Sequence, residues 1–289
     1  MISTRSAQRI EALRIYKNRI LNWNRTTPSY LSGDGFAKLC DISVFPPKFR
    51  SKAPNVQEIS NAHSIFCPSD RLEDFLNTYR DKICAKVFVL GNSDRDFYKA
   101  IIFPESVKRV YLQNSHISDN FFKTLPIGAE NIRWGKNGFT KLFDESLAQT
   151  KKKNAILVGP FSPTHSERKE LEPWKLISHQ ELHFSDAFLD PSRLAKLASQ
   201  FKYVACPRGN GTDTHRFWET LYRGSIPVVK ESKWSNSIKE MGLPVLELRD
   251  WDFEEFLEES KNYKYETLNP KNYSVLWLSN WRSEFKIQS

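Results

Sequence analysis

Short apolar runs recur along the 289-residue chain, each bounded by polar, glycine or proline residues, and this pattern predicts strands separated by helices. In the first half the runs are Ile42 to Phe45, Ser64 to Cys67, Lys86 to Leu90, Arg109 to Leu112 and Thr124 to Ile127. In the second they are Ala155 to Gly159, Glu181 to Phe184, Tyr203 to Cys206, Ile226 to Val229 and Val245 to Leu248. Segments of helical spacing, such as Pro191 to Gln200 and Phe253 to Ser260, lie between them. Strands that alternate with helices predict parallel sheets covered on both faces, and so an α/β fold. Two Rossmann-like domains are expected, residues 1–150 and 151–270, with the run Lys151 to Lys153 at the boundary. Leu276, Trp277 and Trp281 have helix-like spacing, and residues 271–289 are expected to pack back over the first domain. No internal repeat relates the halves.

Tyr203 to Lys230 concentrates the candidate chemistry. A short apolar strand runs into Pro207, Arg208, Gly209, Asn210 and Gly211, where two glycines are free to take φ > 0 and bring backbone N–H groups to a ligand. Thr212 or Asp213 is placed to cap the following helix, which runs through Thr214, His215 and Arg216 to about Arg223, and Gly224 supplies a left-handed stop. At 3.6 residues per turn Phe217 and Leu221 face the sheet, while His215 and Glu219 point away from the core. A diphosphate at this helix start would meet unpaired N–H groups and the positive end of the helix dipole, with Arg208 and Arg216 as counter-charges. Glu219, one turn in, is placed for ribose hydroxyls. The same spacing also suits an ordinary capped helix with solvated charges.

Composition narrows the class. Hydrophobic residues make up 39% of the chain and aromatic residues 13%, the content of a well-packed globular protein. The net charge of +9 suits an anionic ligand, but basic residues are scattered, so Lys151 to Lys153 reads as a solvated linker and no nucleic-acid partner is expected. No run approaches the roughly 20 apolar residues of a membrane span. Cys40, Cys67, Cys84 and Cys206 are widely spaced and read as reduced thiols; sequons occur at Asn24, Asn210 and Asn272, and a glycan on Asn210 would block the glycine loop. A soluble, cytoplasmic protein is expected.

PRGNG-x-DTHR-x-WE-x-L-x-x-G-x-IPVV at residues 207–229 resembles the signature of the exostosin-like glycosyltransferases. Looser similarity extends upstream through LVGPFSPTHSER (157–168), LPIGAENIRW (125–134), VLGNSD (89–94) and IFCPSDRLEDF (65–75). These pieces resemble short soluble members of the family from microbes and large DNA viruses, some of them xylosyltransferases. The resemblance implies a GT-B arrangement, in which two Rossmann-like domains with parallel sheets face a central cleft. It also implies a UDP-sugar donor, inversion at the anomeric carbon and no metal or other cofactor. For a viral protein the compartment is the host cytoplasm. Animal members differ in carrying an N-terminal membrane anchor.

Inverting transfer needs a base for the acceptor hydroxyl, and ligands of open parallel sheets collect beyond the carboxyl ends of the strands. Asp94 behind Val87 to Leu90 is the leading candidate, Asp70 the second and His116 the third. Capping the next helix suits each aspartate at least as well as catalysis does, and suits Asp70, which precedes RLEDFL, better. Arg168 and Arg208 are the candidates for stabilising the leaving diphosphate in place of Mg²⁺, with Thr164 beside them; Asn114 and Trp134 border the acceptor side. Metal independence is expected because histidines and cysteines lack ligand spacing. It also takes the loops behind apolar strands to lack an Asp-x-Asp pair. The leading reading is transfer of a sugar, xylose favoured, from a UDP-sugar to a glycan. A GDP-fucose-dependent fucosyltransferase and a non-catalytic nucleotide-sugar- or nucleic-acid-binding protein are the alternatives.

Overall fold

The computed structural model describes residues 4–22, 29–44, 54–117, 119–143, 151–187, 189–263 and 268–286. Phe45, the end of the first expected strand, and the sequon Asn24 lie outside the described residues. Among those described, ten strands form two five-stranded sheets in which every pairing is parallel. The first contains β1 (Ile42–Ser43), β2 (Ser64–Pro68), β3 (Val87–Gly91), β4 (Arg109–Leu112) and β5 (Phe122–Thr124) in chain order. The second contains β6 (Lys153–Val158), β7 (Leu182–Phe184), β8 (Phe201–Ala205), β9 (Ile226–Lys230) and β10 (Leu246–Leu248), ordered β10-β9-β8-β6-β7. The helices used below are α1 (Thr4–Asn22), α2 (Gly33–Leu39), α3 (Val56–Asn61), α4 (Leu72–Tyr79), α5 (Glu167–Glu170), α6 (Pro191–Ala198), α7 (His215–Tyr222), α8 (Lys233–Glu240), α9 (Phe253–Asn262) and α10 (Leu278–Glu284).

Sequential strand order has a consequence in the first sheet. Right-handed crossovers between neighbouring parallel strands place the connecting segments on one face, so the other face must be covered from elsewhere in the chain. Ile65, Cys67, Phe88, Leu90, Val110 and Leu112 accordingly pack with Ile59 of α3 and Leu72, Phe75 and Leu76 of α4. Phe66, Val87, Val89 and Tyr111, one residue out of phase, belong to a core that includes Phe36 of α2 and Trp281 of α10. The Trp281 ring lies 5.4 Å from that of Phe36 and 5.8 Å from that of Tyr111, and Phe285 is 5.0 Å from Tyr111. The C-terminal segment therefore covers the first sheet.

β5 is shifted from its expected place. Val110 and Leu112 pair with Phe122 and Thr124, so the strand is Phe122–Thr124 and the apolar run Leu125 to Ile127 forms the loop beyond its end. Leu125 is buried there, and its amide makes the last bond to β4, donating to the Leu112 carbonyl at 3.0 Å.

The two halves and the C-terminal segment meet at Tyr222. Its buried hydroxyl accepts the Leu31 amide at 3.0 Å and donates to the Leu276 carbonyl at 2.9 Å, while its ring touches Tyr30, Phe143 and Trp277. Tyr222→Phe keeps the ring and strands one buried donor and one buried acceptor, at an expected cost of about 1–3 kcal/mol. Urea unfolding should show a lowered midpoint at unchanged slope; an unchanged midpoint would show that this junction is not stabilising.

Candidate functional site

The loop leaving β8, residues 206–214, is laced to the loops leaving β3, β4 and β5. Asn210 donates to Asp94 at 3.0 Å. Arg208 donates to Asp96 at 2.5 Å, and the Thr212 amide and hydroxyl donate to the other oxygen of the same carboxylate at 3.0 and 2.9 Å. His116 Nε2 is 2.9 Å from the Thr212 hydroxyl and 3.7 Å from Asp96. Since the single Thr212 proton goes to Asp96, His116 must donate through Nε2. Asp213 donates its amide to Asn114 and accepts the Ile127 amide, both at 2.8 Å, and His215 Nδ1 donates to the Gly128 carbonyl at 2.8 Å.

Asp96 is the residue that the sequence reading missed. It stands two positions beyond Asp94, in an Asp94-Arg95-Asp96 pair behind β3, and a second pair, Asp250-Trp251-Asp252, stands behind β10. The expectation that no such pair follows an apolar strand is corrected. These carboxylates are engaged by the protein itself: Asp250 pairs with Lys230 at 2.7 Å, and Asp252 caps α9 by accepting from the Glu255 amide at 2.8 Å. Among the described residues no three histidine, cysteine or acidic side chains converge as a metal site would require.

Other predicted residues are relocated by burial. Asn114 is wholly buried with φ +54° and bonds the Ser93 carbonyl and the Asp213 amide, so it shapes the junction and presents nothing to an acceptor. Glu219 is also buried, its carboxylate 3.3 Å from Arg223, because α7 packs against both halves; the expected outward, ribose-facing position is corrected. Thr214 is the N-cap of α7 and makes no side-chain cap bond. Asp213 receives Trp218 Nε1 at 2.7 Å in place of capping the helix. Gly209 and Gly211 do not take positive φ. Close approach matters most at Gly211, where a Cβ would lie 2.7 Å from the buried Asn114 amide; at Gly209 a Cβ would lie 2.9 Å from the movable end of Arg168. Gly224 does take φ +70° at the helix stop.

Asp70 accepts the Ser93 hydroxyl at 2.6 Å, and the His116 ring stacks on Tyr98 at 4.4 Å. Asp94 is exposed, with Asn210 across the junction as its partner. Trp134 carries the guanidiniums of Arg133 and Arg19 at 4.6 and 5.2 Å from its ring centre.

In the second sheet the strand order reverses between β6 and β8, which is where doubly wound sheets open a crevice. A cavity of about 460 Å³ lies there, lined by Pro160, Phe161, Arg168, Pro207, Arg216 and Lys136 among others. Arg168 donates to the Ser162 and Arg208 carbonyls at 2.8 and 2.9 Å; Arg216 donates to those of Gly159 and Pro160 at 3.2 and 2.7 Å. Phe161 lies under both guanidiniums, at 5.9 and 4.8 Å. Among the described residues neither arginine forms an ion pair with a carboxylate. Burial lowers the pKa of each, yet guanidinium stays cationic in proteins. Thr164 is exposed at the rim, close to the Gly209 backbone. The Thr214 hydroxyl and Arg208 Nε are buried with no partner within the protein.

The chain matches no protein-family model and no curated protein. No described helix is long and apolar enough to cross a membrane.

Burial pushes the Asp213 carboxyl up to about 7, against the hydrogen bonds from Ile127, Trp218 and Thr214. Because the folded pKa exceeds the unfolded one, near 3.9, folding favours the protonated form. Stability should fall as pH rises from about 4 to about 7, by up to about 1.4 kcal/mol per pH unit, and level off above. Urea midpoints across that window, compared with Asp213→Asn, check this: the variant should lose the slope.

Proposed function

We propose that the protein is an inverting, metal-independent glycosyltransferase of the GT-B type that transfers a sugar, xylose favoured, from a UDP-sugar to a glycan acceptor. The observation that carries this reading is the cavity at the β6/β8 reversal, where Arg168 and Arg216, bonded to carbonyl oxygens and in no ion pair among the described residues, stand beside the start of α7. Two fixed cations and a helix N-terminus suit a diphosphate and the charge that grows on it as it leaves. The similarity of residues 207–229 to the exostosin-like signature supports the same assignment.

The bonding at the junction supports Asp94 as the base. Asp70 is held by Ser93, and His116 is stacked on Tyr98 and bonded to Thr212. Asp94 and Asp70 are both exposed, and of the two it is Asp94 that is tied to the glycine loop, through Asn210. In this reading Asp94 takes the acceptor hydroxyl proton as the oxygen attacks C1 and the C1–diphosphate bond breaks on the opposite face. Arg168 and Arg216 stabilise the departing charge. Arg208 stays with Asp96 and fixes the loop.

Calorimetry should find UDP bound in EDTA, with Arg168→Ala and Arg216→Ala each weakening it roughly ten- to hundredfold. Absence of UDP binding, or a preference for GDP-fucose over UDP-xylose, would reject the UDP-sugar assignment. Asp94→Asn should bind UDP as the parent does and lose transfer by about two to four orders of magnitude. Retained transfer moves the base to Asp70 or His116, and turnover that stops on chelation and returns with manganese removes the arginine-only mechanism.

A further inference from the structure

The face of α1 that points away from the protein carries an apolar stripe. Ile10, Leu13, Tyr16, Ile20 and Leu21 are 58, 69, 66, 62 and 62% exposed, a concentration of large exposed hydrophobic residues that no other described helix approaches. At about 100° per residue they fall in one sector of the helix. The opposite side holds the helix down: Ile15 lines the β6/β8 cavity, Asn18 donates to the Gly135 carbonyl at 3.4 Å, and Arg19 lies over Trp134. Gly135 has no room for a side chain beneath α1, since a Cβ there would lie 2.8 Å from the Ile15 carbonyl. The docking therefore fixes the orientation, and the stripe faces outward.

We propose that this face of α1 lies on an anionic phospholipid surface, buried at the level of the headgroups without spanning the bilayer. The charge on the helix selects this partner. Among the side chains of α1 whose exposure is described, those charged and exposed on this face are Arg9 and Lys17, both cationic, so pairing with a second copy of itself would bring like charges together. Arg9 and Lys17 are exposed among the stripe residues, where their long stems can lie along the apolar surface with the charge at the phosphates. A nucleic-acid backbone would satisfy these charges but offers no apolar phase for five aliphatic and aromatic side chains. The inference does not rest on the proposed activity.

The test is co-sedimentation of the full chain with vesicles of phosphatidylcholine alone and of phosphatidylcholine with phosphatidylserine. Binding to the phosphatidylserine vesicles is expected, weaker by about tenfold or more without the anionic lipid, and reduced by added salt. Leu13→Glu combined with Ile20→Glu should abolish it, and Lys17→Glu should weaken it, all with unchanged melting temperature because these side chains are exposed. The proposal is overturned if the parent protein ignores anionic vesicles or if the double substitution binds as well as the parent. It is also overturned if velocity sedimentation shows a dimer that the double substitution dissociates.

Discussion

The carboxylate of Asp96 is the most heavily bonded of the contacts that join the two halves of the molecule at the loop behind β8. Burial by itself would raise its pKa, but His116, the Thr212 amide, Arg208 and the Thr212 hydroxyl together hold it well below the usual carboxylate range. It is therefore charged across the physiological range, and three of its donors reach it from the other half at 2.5 to 3.0 Å. With it in place, Asp94 meets Asn210, Asn114 meets the Asp213 amide, and the loop behind β8 acquires one conformation. That loop is one wall of the β6/β8 cavity, through Pro207, so the shape of the cavity depends on a residue of the opposite sheet.

Much of this architecture was legible because it is local. Apolar runs bounded by breakers mark strands regardless of what they pair with, and Gly224 behind a helical pattern marks a stop whose φ of +70° needs no side chain. The displaced β5 shows the limit. Leu125, Pro126 and Ile127 are as apolar as a strand, yet register with β4 places the ladder three residues earlier. Apolarity reports burial; it does not distinguish a strand from a buried loop beyond its end.

Side-chain roles were legible only where the partner is near in sequence. Glu219 and Arg223 are one turn apart, but whether that turn faces solvent depends on the first half closing over α7, which helical spacing does not encode. Asn114 and Asp213 are 99 residues apart and Asp96 and Arg208 are 112 apart, and no spacing rule connects them. The glycines of the β8 loop illustrate the same point. Their types were read as conformational freedom, whereas at Gly211 the constraint comes from Asn114 pressing on the backbone from another loop.

The arginines divide into two groups, and the division bears on what the cavity is for. Arg133 has Asp34 at 2.6 Å, Arg223 has Glu219 at 3.3 Å and Arg208 has Asp96 at 2.5 Å, which is how a protein ordinarily accommodates a guanidinium taken out of water. Arg168 and Arg216 have carbonyl oxygens and the face of Phe161 instead. Carbonyl dipoles orient a guanidinium and satisfy some of its protons, while Glu167 acts on Arg168 and Glu219 on Arg216 only from beyond ion-pair distance. Two such cations share one cavity, and each disfavours the other. This costs stability that a pair of leucines would not, and an arrangement of that kind is most economically explained by a ligand of opposite charge. A diphosphate, with its negative charge and several acceptor oxygens, is the ligand proposed for that place.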